Sequence, residues 1–110
     1  MLQGEIWEEY FNPTQGSKQS GRRPAVIASG NLVNHYLQVV IVCPLTTSVK
    51  NYKGNVVLKP TDLNGLKAPS EILTFHIRSI SKKRFSKKLG QISKPELEQI
   101  KSCLNDLLRY

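Results

Sequence analysis

Only one stretch of this chain has helical periodicity, and it comes last. Leu97, Ile100, Leu104 and Leu107–Leu108 recur at three- and four-residue spacing, which gathers them into one apolar stripe on a helix. Ser93-Lys94-Pro95-Glu96 in front of them has the S-x-x-E form of a capping box, with a proline in the first turn, where a missing N–H costs nothing. Everything upstream is cut into short apolar runs by glycine, proline and polar clusters. Strands are predicted at Gly4–Tyr10, Pro24–Ser29, Leu37–Cys43, Asn55–Leu58, Glu71–Ile80 (one or two, broken near Phe75–Ile77) and Lys88–Ile92. The third is apolar from Val39 to Cys43, so it is predicted to be buried on both faces and to stop at Pro44. Five or more short strands without intervening helices exclude a parallel βαβ fold. They predict a mainly β chain, a small and strongly bent barrel with a C-terminal α-helix.

The chain has 110 residues and a mass of 12.4 kDa, which predicts a single domain over residues 1–110. An apolar fraction of 39% is enough for a folded core. No apolar run approaches the ~20 residues of a membrane span, and Met1-Leu2-Gln3-Gly4-Glu5 lacks the features of a signal peptide. Cys43 and Cys103 belong to no metal-binding spacing and read as core packing in a reducing cytoplasm rather than as a disulfide.

Charge supplies the first functional pointer. Sixteen Lys and Arg against eight Asp and Glu leave +8, with a pI near 9.7, which suits a polyanion such as nucleic acid. The basic residues cluster: Arg78, Lys82, Lys83, Arg84, Lys87 and Lys88 fall within eleven residues that contain no acid, whereas Glu5, Glu8 and Glu9 open the chain.

No HExxH, GxSxG or GxxxxGK[ST] is present, and acids are too sparse for an obvious carboxylate metal site. An enzyme made from this chain must use Arg, Lys, His, Ser or Thr. Two segments offer such groups. Gly16-Ser17-Lys18-Gln19-Ser20-Gly21-Arg22-Arg23-Pro24 sets two guanidinium groups where a long polar loop enters a strand. Guanidinium grips phosphate through paired donors and stays charged; a solvated surface pair is the plainer alternative. Thr46-Thr47-Ser48 follows the buried strand, and its hydroxyls can bond phosphate oxygens or bases, or simply cap a turn. His76 can donate a proton or bind a base, with a structural histidine at a strand bend as the alternative.

Taken in order, these segments resemble the MazF/PemK (Kid-like) toxins. Gly4-Glu5-Ile6-Trp7 is similar to the family's opening. Gly16 to Ile27 resembles its G-S-E-Q-x-G-x-R-P-x-V-V motif, and Val40 to Thr47 its strand ending in P-[LI]-T. Ser70-Glu71-Ile72-Leu73, Ile77-Arg78-Ser79-Ile80 and Arg84-Phe85 resemble S-x-[IV]-L…Q-I-R-[TS]-I-D-x-x-R-[LF], and Leu89-Gly90 with residues 93–108 resembles L-G-x-[LI]-S and the final helix. The resemblance implies an SH3-like barrel, usually homodimeric, acting as the toxin of a type II toxin–antitoxin module. It implies a cytoplasmic endoribonuclease that cuts single-stranded RNA at short sequences with no metal or cofactor, and that a cognate antitoxin blocks. The family's catalytic arginine and threonine fall on Arg23 and Thr46. Ser17, Lys18, Gln19, Arg22, Thr47, Ser48, His76 and Arg78 are the RNA-contact candidates. The pattern is broken at Lys18, His76 and Ser81, where members commonly carry Glu, Gln and Asp.

The implied chemistry suits these side chains. RNA carries its own nucleophile in the 2′-OH, so the protein must align it, neutralise the phosphorane and move protons. Two rivals keep the barrel and drop this chemistry: a gyrase-poisoning toxin of the CcdB type, and a non-catalytic basic barrel that binds RNA or DNA.

Overall fold

The computed structural model describes residues 1–10 and 21–109. The polar loop after the first strand therefore lies almost wholly outside the described residues, and Ser17, Lys18 and Gln19 with it. The described chain forms strands β1 (Glu5–Tyr10), β2 (Arg22–Ile27), β3 (Val39–Thr46), β4 (Val57–Leu58), β5 (Ser70–Ile72), β6 (Arg78–Ser81) and β7 (Phe85–Gln91). Helix α1 (Asn31–Tyr36) and helix α2 (Lys94–Arg109) complete it. The strands make one antiparallel sheet in the order β4-β5-β3-β2-β1-β7, with β6 also pairing β3. The expected mainly β chain with a C-terminal helix is borne out, its bent sheet forming a half-barrel. None of its described helices is long and apolar enough to cross a membrane.

The sheet is buried on both faces, as the apolar run in β3 predicts. One face carries Ile6, Val26, Cys43, Leu45 and Ile72, which α2 covers with Leu97, Ile100 and Leu104. The other carries Ala25, Ile27, Val40 and Val42, closed over by Trp7, Ile80 and Phe85. The helix begins as its sequence requires. Ser93 Oγ accepts from the Glu96 amide at 3.3 Å, and Glu96 Oε1 accepts from the Ser93 amide at 2.8 Å.

Two expectations are corrected. β3 does not stop at Pro44 but runs through it to Thr46. An antiparallel residue points its N–H and C=O at the same neighbour, so the missing donor of Pro44 faces the edge away from β2. That edge changes partner there: Val39–Val42 pair with β6 and Leu45–Thr46 with β5. At the gap the Pro44 carbonyl accepts from the Leu73 amide at 2.8 Å, and the chain turns through a 3₁₀ turn at Thr74–His76. The predicted break near Phe75–Ile77 is this turn. The second correction is α1, which lies between two strands where no helix is expected. Its six residues are too few to show a period, and tertiary bonds hold it: Asn34 is buried, donates to the Ser29 carbonyl at 2.9 Å and accepts from the Ser29 hydroxyl.

β7 begins earlier than predicted because its first residues pair with β1, Phe85 opposite Glu9, and a reverse turn packs on its other end. Gly65 has φ +67°, and the 63–65 backbone lies directly on Leu89–Gly90, with the Gln91 amide bonded to the Leu63 carbonyl at 3.0 Å. A Cβ on Gly90 would lie 2.4 Å from the Leu63 oxygen and 2.5 Å from the Asn64 carbonyl carbon. Both are backbone atoms that cannot swing aside. Gly90→Ala should therefore cost roughly 2–3 kcal/mol, read as a lower urea midpoint with unchanged slope.

Candidate active site

The site is set by strand register. In β1–β2, Glu9 faces Arg23 and Tyr10 faces Arg22. In β2–β3, Ala25 faces Pro44. Arg23 lies two residues before Ala25 and Thr46 two residues after Pro44, which in antiparallel strands is the same direction. Side chains alternate, so both project from the face that carries Ala25 and Pro44. Arg23 and Thr46, both half-buried, thus share one end and one face of the β2–β3 pair.

Thr46 is held for donation. Its Oγ1 accepts from the Ser48 amide at 3.1 Å, which leaves the hydroxyl hydrogen to give to a ligand. Its cross-strand partner, Glu71, fixes the loop that follows. The Glu71 carboxylate accepts from the amides of Lys50, Asn51 and Tyr52 at 2.8, 3.0 and 2.9 Å and from Asn55 Nδ2 at 3.0 Å. Loss of water at Glu71 disfavours its charge, but the four donors outweigh that and hold its carboxyl below the ordinary range.

The same face gathers charge. Glu9 is 2% exposed and paired with Arg78, whose side chain is half exposed. Arg23 and Arg84 also act on it electrostatically. Burial pushes the Glu9 carboxyl above its ordinary range, against the pull of Arg78, Arg23 and Arg84.

The RNA-contact candidates divide. Arg78 joins Arg23 and Thr46 on this face, although no local pattern signals that Glu9 would hold it. Arg22 points to the opposite face, where it lies 3.9 Å from Glu8 and 5.3 Å from the Tyr10 ring centroid. Thr47 also departs from Thr46. It lines a shallow cleft of about 230 Å³ together with Glu8, Pro24, Leu66 and Ser70. Ser48 is exposed at the start of the loop. His76 is exposed in the 3₁₀ turn, in an edge-to-face row with Phe75 (4.6 Å) and Tyr52 (5.2 Å from Phe75). It sits at a strand bend, as the structural alternative required, but its ring is not enclosed. Ser81, at the third departure from the family pattern, caps the turn of the basic run by accepting from the Lys83 amide at 3.3 Å.

Glu9 and Glu71 are the two polar residues that sequence reasoning missed. Glu71 had a signal: an acid inside an otherwise apolar strand must have several donors waiting. Glu9 had none, because Glu8 beside it looks the same.

Comparison with known proteins bears on the family and the fold. The family described as PemK-like, MazF-like toxin of type II toxin–antitoxin system matches residues 2–108. The chain belongs to the PemK/MazF toxin family. It is 33% identical over 103 residues to the endoribonuclease toxin MazF of Escherichia coli K12, covering 94% of this chain and 88% of that protein. It is also 33% identical over 110 residues to endoribonuclease MazF9 of Mycobacterium tuberculosis, with 94% and 92% covered. Among solved structures, MazF of Deinococcus radiodurans superposes with a TM-score of 0.78 at 28% identity, covering 100% of this chain and 97% of that one. A MazE–MazF structure from the same organism gives 0.78 at 25%, covering 99% and 95%. The PemK/MazF half-barrel is thus the frame that sets Arg23 and Thr46 on one face.

Both cysteines are free thiols in that frame. Burial pushes the Cys43 thiol up to about 12, which leaves it inert, and Cys103 packs against Thr74. Glu71→Gln should cost about 2 kcal/mol, because an amide NH₂ then meets backbone N–H donors. The carboxylate's contribution is complete above its unfolded value near 4.5 and disappears as pH falls through the lower folded value. The difference in melting temperature between wild type and variant should therefore shrink as pH falls from 7 into the acid range.

Proposed function

We propose that this chain is the toxin of a type II toxin–antitoxin pair, a cytoplasmic endoribonuclease that cuts single-stranded RNA without a metal ion. The observation that carries the reading is the convergence of Arg23 and Thr46 on one face of a chain 33% identical to endoribonuclease MazF. The 2′-oxygen gives up its proton and bonds to the adjacent phosphorus. The bond from phosphorus to the 5′-oxygen breaks, and that oxygen takes a proton. The products are a 2′,3′-cyclic phosphate and a 5′-OH. Arg23 neutralises the phosphorane oxygens through paired N–H donors. A guanidinium is a poor base and a durable cation. Thr46 donates its hydroxyl to a nonbridging oxygen.

Substrate approaches over a surface of net charge +8, which speeds encounter with RNA. Arg78 and Arg22 serve RNA from opposite faces of the sheet, and Thr47, Ser48 and His76 line its approach. Ser17, Lys18 and Gln19 complete the contact set from the loop after β1. The same charge suits an acidic antitoxin segment, and two copies of the chain make the working unit. A gyrase poison or a non-catalytic barrel is not favoured, since the relatives over nearly the whole chain are endoribonucleases.

The test is single-turnover cleavage of a short RNA in EDTA at saturating enzyme. Arg23→Ala and Arg23→Lys should each lose on the order of 10²–10³ in rate, since lysine keeps the charge but not the planar fork. Thr46→Val should lose a comparable factor. Wild-type rates in both Arg23→Ala and Thr46→Val would remove them as the catalytic pair. Arg22→Ala should leave the saturated rate alone, weaken binding, and lower the slope of log affinity against log salt by about 0.7.

A further inference from the structure

Glu9 is not accounted for by folding alone. It sits on β1 between β2 and β7, on the face that carries Arg23, and only 2% of it is exposed. The charged groups that act on it come from three elements: Arg23 from β2, Arg78 from β6, and Arg84 from the 3₁₀ turn that leads into β7. β7 itself meets it with the apolar Phe85. The other acids of β1 are engaged elsewhere, Glu5 with Lys88 at 3.0 Å and Glu8 with Ser86 at 3.1 Å. Arg78 takes one Glu9 oxygen. The other, Oε2, is out of contact with water and has no hydrogen-bond partner among the described residues. A plain surface ion pair would be solvated; here a carboxylate is kept dry among three guanidinium groups.

We propose that Glu9 is a positioning residue for Arg23, a buried counter-charge that keeps the guanidinium groups together and turns the donors of Arg23 toward the scissile phosphate. The proposal rests on the endonuclease reading above. Three cations on one face repel, and without a carboxylate among them their side chains would splay into solvent. With it, the cluster still carries an excess of positive charge for a phosphate, but with Arg23 pre-oriented. Protonation of Glu9 removes the counter-charge, so cleavage should fall in acid. Because burial holds this carboxyl above the ordinary range, the fall should begin at a higher pH than an ordinary glutamate would give.

The experiment compares wild type, Glu9→Gln, Glu9→Asp and Arg23→Ala in single-turnover RNA cleavage from about pH 4.5 to pH 8. RNA affinity comes from fluorescence anisotropy and folding from thermal melts. Glu9→Gln should be about tenfold or more slower at saturation, bind RNA within about threefold of wild type, and lose the acid limb. Glu9→Asp should keep the limb and recover part of the rate. A merely structural role would lower melting temperature and RNA affinity together, with the acid limb intact in what activity survived. Glu9→Gln with the wild-type saturated rate, or slowed with the limb unchanged, overturns the proposal. Should the Glu9 variants not fold, the ¹⁵N resonances of the Arg23 side chain in the wild type decide. They should titrate with the acid limb, and resonances that stay flat across it overturn the proposal. A folded wild type that leaves RNA intact defeats the endonuclease reading instead, while the same titration still tests the coupling of Glu9 to Arg23.

Discussion

The molecule depends on a change of partner along one edge of β3. An eight-residue strand that bonded one neighbour throughout would favour a flatter sheet. β3 instead gives its first half to β6 and its last two residues to β5, with Pro44 at the seam. Proline has no N–H to offer, and here none is asked of it; the Leu73 amide needs only its carbonyl. The 3₁₀ turn at Thr74–His76 takes up the slack between the two partners. β5 is thereby set against the end of β3, so that Thr46 meets Glu71. The bend of the half-barrel and the position of Thr46 have one origin.

β1 has a complementary role. It is an acidic strand in a basic chain, and each of its acids ties down a different cation. Glu5 binds Lys88 and also accepts from the Trp7 indole at 3.0 Å. Glu8 takes Ser86, with Arg22 near it, and Glu9 takes Arg78. The exposed Glu8–Arg22 pair adds little stability, because water screens it, whereas Glu5 and Glu9 are both buried. The Glu9–Arg78 pair differs from that of Glu5 in leaving one carboxylate oxygen without a hydrogen-bond partner among the described residues. Its carboxylate is committed to a geometry, and that geometry includes the strand neighbour Arg23. The basic run at residues 78–88 is therefore not a uniform solvated patch. Arg78 and Lys88 are held, Arg84 acts on Glu9, and Lys87 is exposed.

Glu71 is the counterpart on the loop side. One carboxylate takes three successive backbone amides and a side-chain amide, and so gives the segment after Thr46 a definite shape without regular structure. A loop whose amides are satisfied by a fixed anion can present side chains at a surface without paying to order itself at each encounter. Arg23 on its strand and Thr46 beside its loop are thus each backed by a glutamate, one on β1 and one on β5.

Patterns within a few residues were legible without coordinates. The 93–108 helix and its capping box depend on neighbours three and four apart, and the burial of β3 on both faces depends on an unbroken apolar run. The break before β6 shows in local composition. The ordered motifs gave the family, and with it Arg23 and Thr46. Contacts between distant segments were not legible. The passage of β3 through Pro44 depends on which edge the proline faces, and α1 depends on Asn34 reaching Ser29. Alternation on one strand sends Arg22 and Arg23 to opposite faces, so two adjacent arginines become different groups. Glu8 and Glu9 divide in the same way: to the sequence they are a pair of acids, and only the register of β1 between β2 and β7 makes one a surface partner and the other a buried counter-ion. Local spacing fixes what a residue can do chemically; pairing across the sheet decides which charges it meets and whether water reaches them.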